Sequence, residues 1–196
     1  MRIAAICLAS LLILAAATPP AHAACDQLRA HLDREARRAR RWDLAWALTF
    51  GTFAVAQGGM LAAEWVPGEE WSDDAAAGLK VGIAKSSIGA LSHVVLRLKV
   101  ERPSTDDCAT LARAVRVTAR NEKRAFWLDH VGSLLLNVGG LLYLGLVEDT
   151  WSEGWKSFAL GYPIGLISTY TQPRASWHFA ARLDDGGAQV VLSGRF

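Results

Sequence analysis

The chain has 196 residues, 52% of them hydrophobic, and a net charge of +2. That length excludes more than one sizeable core and holds one domain or two very small ones. A net charge this small says little, so the informative quantity is where the charges sit. Without its first 23 residues the mean hydropathy falls from +0.17 to roughly zero, which a membrane protein reaches only if its charges gather outside the spans.

Residues 1–23 read as a secretory signal. Arg2 supplies the positive start, residues 3–17 the apolar core, and Ala21-His22-Ala23 an A-x-A cleavage site. The mature chain is expected to begin at Ala24 and to reside in a bacterial cell envelope. Cys7 leaves with the signal, so Cys25 and Cys108 remain, and two cysteines in an exported chain are usually bridged. Cys25 is followed by Leu28 and Ala36-Arg37; Cys108 is followed at the same spacing by Leu111 and Ala119-Arg120. A bridge closing a loop of this length would stabilise by roughly 4 kcal/mol in the chain-entropy model.

That correspondence extends further. Residues 46–64, WALTFGTFAVAQGGMLAAE, align without a gap on residues 127–145, WLDHVGSLLLNVGGLLYLG. Trp46 falls on Trp127, Gly51 on Gly132, and Gly58-Gly59 on Gly139-Gly140. The mature chain therefore reads as one unit written twice, in residues 24–103 and 104–175.

Each unit opens with a basic helix. Residues 26–41 carry Arg29, Arg34, Arg37, Arg38, Arg40 and Arg41; residues 105–124 carry Arg113, Arg116, Arg120, Lys123 and Arg124, with Ser104 or Thr105 as the expected N-cap. Leu111, Ala112, Val115 and Ala119 recur at helical spacing and give one apolar and one cationic face. Such a face suits anionic lipid headgroups or plain solvent. Nucleic acid is not an expected partner of an exported chain.

A long apolar helix follows each basic one. Residues 44–63 and 131–147 contain no charge, and Trp42, Trp46, Trp65 and Trp127 sit near the ends as an aromatic belt would place them. Acidic turns come next, at residues 64–74 and 148–155. The return helices, expected at residues 75–98 and 157–171, carry small-residue pairs at matching positions: Gly78/Gly82 and Gly161/Gly165. These pairs let helix backbones approach closely, and Pro163 is expected to kink the second return helix. In residues 176–196 the period changes: Trp177, Phe179, Ala181 and Leu183 alternate, Asp184-Asp185-Gly186-Gly187 is turn chemistry, and a β-hairpin is expected. An isolated hairpin is marginal, so it should lie on the bundle or pair with another copy or a protein partner.

The topology carries a conflict. A cleaved signal and four spans place both basic helices outside and both acidic turns inside, opposite to the positive-inside rule. Three resolutions exist: the signal is not one, the membrane is one where the rule does not apply, or the apolar helices form a soluble or peripheral four-helix bundle. The expectation is nonetheless membrane association.

The sequence contains no P-loop, no GxGxxG after a strand, no HExxH, no paired CxxC and no GxSxG. No catalytic residue, cofactor or metal site is expected, since the histidines are scattered. The remaining candidates are polar groups in apolar surroundings: Lys85, His93, Asp129, His130 and Asn137, with Ser86, Ser87 and Gln57 nearby. A Lys85–Asp129 pair is the specific expectation; the plain alternative is that Lys85 snorkels and Asp129 pairs with Arg124.

Asn121-Glu122, Trp127-Leu128, His130, the glycine pair and Thr171-Gln172-Pro173 resemble an uncharacterised group of exported bacterial proteins with predicted membrane helices. The resemblance covers the second unit and implies the architecture without an activity. The expected fold is all-α: a tandem duplication of basic amphipathic helix plus helical hairpin, tied by Cys25–Cys108, with a small C-terminal β-hairpin. The expected role is a non-enzymatic envelope membrane protein, structural or interaction-mediating. The rivals are a small transporter using the polar seam and a soluble periplasmic binding module with a pocket between the units.

Overall fold

A computed structural model describes residues 21–63 and 72–178. It is all-helical, with α1 at Ala21–Ala63, α2 at Asp73–Val95, α3 at Cys108–Leu146 and α4 at Trp151–Thr171. Among the described residues there is no strand. The first 20 residues of the expected signal lie outside them.

The sequence separates a basic helix from an apolar one in each unit; the structure does not. α1 runs for 43 residues and α3 for 39, each joining its cationic half to its apolar half without a break. The reason is local: neither Gly nor Pro occurs from Asp26 to Phe50 or from Cys108 to Val131, so nothing interrupts the backbone ladder. Polarity changes along each rod while the backbone does not.

Caps set the starts. Asp107, rather than Ser104 or Thr105, caps α3 and accepts the Thr110 N–H at 2.8 Å. Ser72 caps α2 through the Ala75 N–H at 3.3 Å. α4 continues through Pro163 and ends before Pro173, with Gln172 extended as the residue preceding a proline prefers.

The Cys25–Cys108 disulfide brings the two Cα atoms to 5.0 Å, so α1 and α3 start side by side and run parallel. Below it, Leu28, Leu32, Leu111, Ala114 and Val115 form a small apolar core, with Val100 packed against it. The loop between α2 and α3 lies along this pair. Leu98 N–H donates to Asp43 Oδ2 at 3.2 Å, Glu101 N–H to Thr118 Oγ1 at 3.0 Å, and Arg29 pairs with Asp106 near the tip.

A second segment seats on the same head. Residues 175–178 form a helical turn, so Trp177 and His178 do not open a hairpin. The cause is side-chain capture: the Trp177 N–H donates to Glu122 Oε2 at 2.7 Å, and His31 Nε2 meets Ser176 Oγ at 3.1 Å. Residues 179–196, the remainder of the expected hairpin, lie outside the described residues.

The four-helix part has the opposite polarity from the head. Its outward residues are apolar and bare: Val55 is 76% exposed, Leu135 65% and Leu160 71%. Its buried residues include Ser86, His93, Asn137, Ser168 and Thr169. α1 and α3 are each long and apolar enough to cross a membrane, and the shares of their apolar windows buried in the fold are 0% and 22%. The core helix of a soluble protein would be mostly buried.

Candidate functional site

The inner face of α3 carries Glu122, Asp129, Ser133 and Asn137 at intervals of seven, four and four residues, which puts them on one stripe about 22 Å long. α4 answers with Ser157, Gly161, Gly165, Ser168 and Gln172 at intervals of three and four. The result is a buried polar seam organised in three levels.

The uppermost level lies in the head. Glu35 and Glu122 are 1% and 0% exposed, and each keeps one carboxylate oxygen without a hydrogen-bond partner. Arg38 donates to Glu35 Oε1 at 2.8 Å. Burial pushes the Glu122 carboxyl up to about 7, and the nearby Glu35 adds to this, against the hydrogen bonds from Trp177 and Ser176. Burial likewise raises Glu35, opposed by Arg38 and Arg34. His31 is lowered to about 4, by burial first and then by repulsion from Arg34 and Arg38. The level thus stores two carboxyls that resist ionisation and an imidazole that resists protonation.

At the middle level the head meets the bundle. His93 faces Asp43 through Nδ1, 3.6 Å from Oδ1, and Ser168 through Nε2, 3.3 Å from Oγ. Phe50 stacks on its ring at 5.8 Å and Trp42 meets it edge-on at 4.8 Å. Asp129 accepts from Thr169 Oγ1 at 2.7 Å. Trp42 and Trp46 both direct their indole N–H groups at Thr171 Oγ1, 3.3 and 3.2 Å away, which ties α1 to the end of α4. The order carboxylate, imidazole, hydroxyl resembles a nucleophilic relay, but Ser168 is 1% exposed and packed inside the helix bundle. These groups can hold or pass a proton; no substrate reaches the hydroxyl in this conformation.

The deepest level centres on Lys85. Its ammonium donates to Ser157 O and Ser157 Oγ, both at 3.0 Å. Asn137 Nδ2 donates to Ser133 O at 2.8 Å, and its Oδ1 is buried without a partner. The backbone approach that permits this depends on glycine. A Cβ on Gly161 would meet Asn137 Oδ1 at 2.3 Å, and one on Gly165 would meet Ser133 Oγ at 1.8 Å. Gly82 presses against Gln57 of α1, and Gly78 against Glu153 at the start of α4.

The expected seam residues therefore do not form one cluster. His93 and Asp129 share the middle level, while Lys85 and Asn137 share the deep one. The expected Lys85–Asp129 pair is absent: the lysine is satisfied by Ser157 on α4, and Asp129 lies two helical turns from Asn137, bonded to Thr169. His130 turns away from the seam into an aromatic cluster, stacked on Phe126 at 6.1 Å and edge-on to Tyr170 at 6.2 Å.

Four acids and hydroxyls are not among the expected seam residues: Glu35, Asp43, Glu122 and Ser168. The first and third had a signal. Leu28, Leu32, Glu35, Ala39 and Leu111, Val115, Thr118, Glu122 each step by four, three and four, so both glutamates fall on the apolar stripe of a basic helix. Asp43 and Ser168 have none, because their meeting through His93 is long-range.

Among the described residues no group of three or more His, Cys, Asp or Glu side chains is arranged to hold a metal ion. No protein-family description matches this chain, and neither a curated protein nor a solved structure does.

Proposed function

We propose that this chain is a non-enzymatic membrane protein of the bacterial cell envelope, anchored by its apolar bundle and presenting a disulfide-tied cationic head on the extracytoplasmic side. One observation carries the reading: the outer face of the bundle is apolar and exposed, while its buried positions mix Leu141 and Leu144 with Ser86, His93, Asn137, Ser168 and Thr169. α1 and α3 are long and apolar enough to cross a hydrocarbon layer of about 30 Å, and α2 and α4, of 23 and 21 residues, match that layer by length. Arg40, Arg41, Lys123 and Arg124 are exposed within a turn of Trp42 and Trp127, at the level where anionic headgroups would lie. The disulfide supports placing the head in an oxidising compartment.

The role that follows is structural or interaction-mediating: a rigid head held at a fixed height above a bilayer. The resemblance of the second unit to an exported bacterial group agrees with it. Alkaline carbonate extraction of cell envelopes tests the anchor. The chain should stay in the pellet, and its release with the soluble fraction would replace this reading with that of a periplasmic binding module. Cysteine labelling at residues 149 and 105 tests the orientation, with only the second reached by an impermeant reagent from outside.

The transporter reading draws on the stripe of Asp129, Ser133 and Asn137. Its weakness is geometric, since Lys85 and Asp129 occupy separate levels.

A further inference from the structure

A groove of about 430 Å³ runs along the outside of the bundle between α2 of the first unit and α3 of the second. Its walls are mostly apolar, with Ile88, Leu135 and Leu136 at one end, the Lys85 side chain midway, and Lys80 and Tyr143 at the other end. Ile88 lies eight residues from Lys80, and Leu135 eight from Tyr143, so the groove is about 12 Å long and parallel to the helices. In a bilayer that direction is the direction of the acyl chains.

The charges at its mouth are of both signs. Lys80 is exposed, and among the described residues it has no ion-pair partner. Tyr143 donates its hydroxyl to Glu148 Oε1 at 2.7 Å and so fixes an exposed carboxylate beside the same opening. A headgroup that carries only a negative charge would meet the lysine but also the carboxylate. A headgroup with a phosphate and an ammonium satisfies both.

We infer that this groove binds one acyl chain of a zwitterionic aminophospholipid, with the phosphate on Lys80 and the ammonium on Glu148. The inference rests on the membrane reading, because the groove faces lipid only if the bundle spans. It commits the acidic-turn side of the protein to a preference opposite to that of the cationic head.

The test uses the full chain purified in detergent, with phosphatidylethanolamine and phosphatidylglycerol of matched acyl chains added in turn and bound lipid counted by native mass spectrometry. Phosphatidylethanolamine should be retained several-fold better. Glu148→Gln should make the two lipids equal, Lys80→Glu should lower retention of both, and Ala84→Phe, at an exposed groove position, should block the acyl chain. Wild-type helical content and melting in detergent report that each variant is folded, and Lys80→Gln replaces Lys80→Glu if that variant is not. Equal retention by the wild-type chain, retention that ignores Ala84→Phe, or a lipid-free dimer closed over the groove overturns the inference. A chain that stays in carbonate-washed membranes and yet shows no preference overturns the groove alone; one that washes out overturns the membrane reading with it.

Discussion

Glu122 of α3 holds the backbone N–H of Trp177 at 2.7 Å, although 55 residues separate them and the carboxyl is completely buried. The same residue's carbonyl accepts from Gln172 Nε2 at 3.3 Å. One glutamate therefore anchors the segment that leaves α4 to the parallel helices of the head.

The Glu122 anchor should make stability depend on pH. In the unfolded chain Glu122 titrates near 4.5, and in the folded head near 7. Below 4.5 both states hold the proton and the contribution is complete. As pH rises from 4.5 to about 7 the unfolded chain has released its proton and the folded head has not, so stability falls, by about 3 kcal/mol in all. His31 acts in the other direction: its contribution is present above 6.5 and is lost as pH falls through about 4. The two offset between about pH 4.5 and 6.5, so only the last part of the Glu122 loss, under about 1 kcal/mol, emerges above that in the wild-type chain. Glu122→Gln should be more stable than wild type at pH 8 and equal to it near pH 4.5 in thermal melts. A variant that tracks wild type at both pH values refutes the assignment.

Gly165 should tolerate no side chain. A Cβ there meets both Oγ and Cβ of Ser133, at 1.8 and 2.9 Å, and a Cβ cannot rotate away. Gly165→Ala should cost about 2 kcal/mol or more by forcing α3 and α4 apart, and Ser133→Gly in the same chain should recover most of it. Gly51 and Gly132, which have no atom within 4 Å of a built Cβ, give the contrast. Alanine at either should be neutral or stabilising by about 0.5–1 kcal/mol. Melting of the four single variants and the double checks this.

These glycines mark how far the sequence could be read. The repeat alignment rests on Gly51, Gly132 and the 58-59 and 139-140 pairs, yet of these only Gly140 packs inside the chain, against Val81 and Lys85. The spacing of Gly161 and Gly165 does identify a close helix approach, because small residues four apart share a face whatever they contact. The order of cationic, apolar and return segments was legible, as hydropathy and charge change between them; that each cationic and apolar pair forms one unbroken rod was not. Which polar groups meet was not, since His93 reaches Asp43 and Ser168 from 50 and 75 residues away. Trp177 and His178 are helical where the alternation predicts the start of a hairpin: alternation along Trp177 and Phe179 carries no information about the Glu122 acceptor that holds the Trp177 N–H.

Breaking the disulfide should loosen the head and leave the bundle intact. Cys25 and Cys108 close a loop with a sequence separation of 83, worth about 4–5 kcal/mol in the chain-entropy model. The core beneath, from Leu28 to Val115, is small, with five buried apolar residues. Cys25→Ser should expose Arg29 and Arg34 to trypsin at least tenfold faster, in proportion to local opening. Helical content in detergent should change little, because the apolar halves of α1 and α3 continue past the head. Equal loss of helix throughout the chain would show instead that head and bundle fold as one unit.

Lys85 separates charge from packing. Its ammonium is half-buried and meets two oxygens of a single residue, Ser157, with no carboxylate among its hydrogen-bond partners. Ser157→Ala removes the hydroxyl and leaves the cation on a backbone carbonyl, a loss of about 1.5–3 kcal/mol for a hydrogen bond to a charged group. Lys85→Met keeps the length of the stem against Gly140 and removes the desolvated charge, so it should be neutral or stabilising. In the Lys85→Met background, Ser157→Ala should then cost almost nothing. Unfolding of all four chains in mixed detergent closes this cycle, and a Ser157→Ala penalty that persists without the ammonium would assign the serine to helix packing instead.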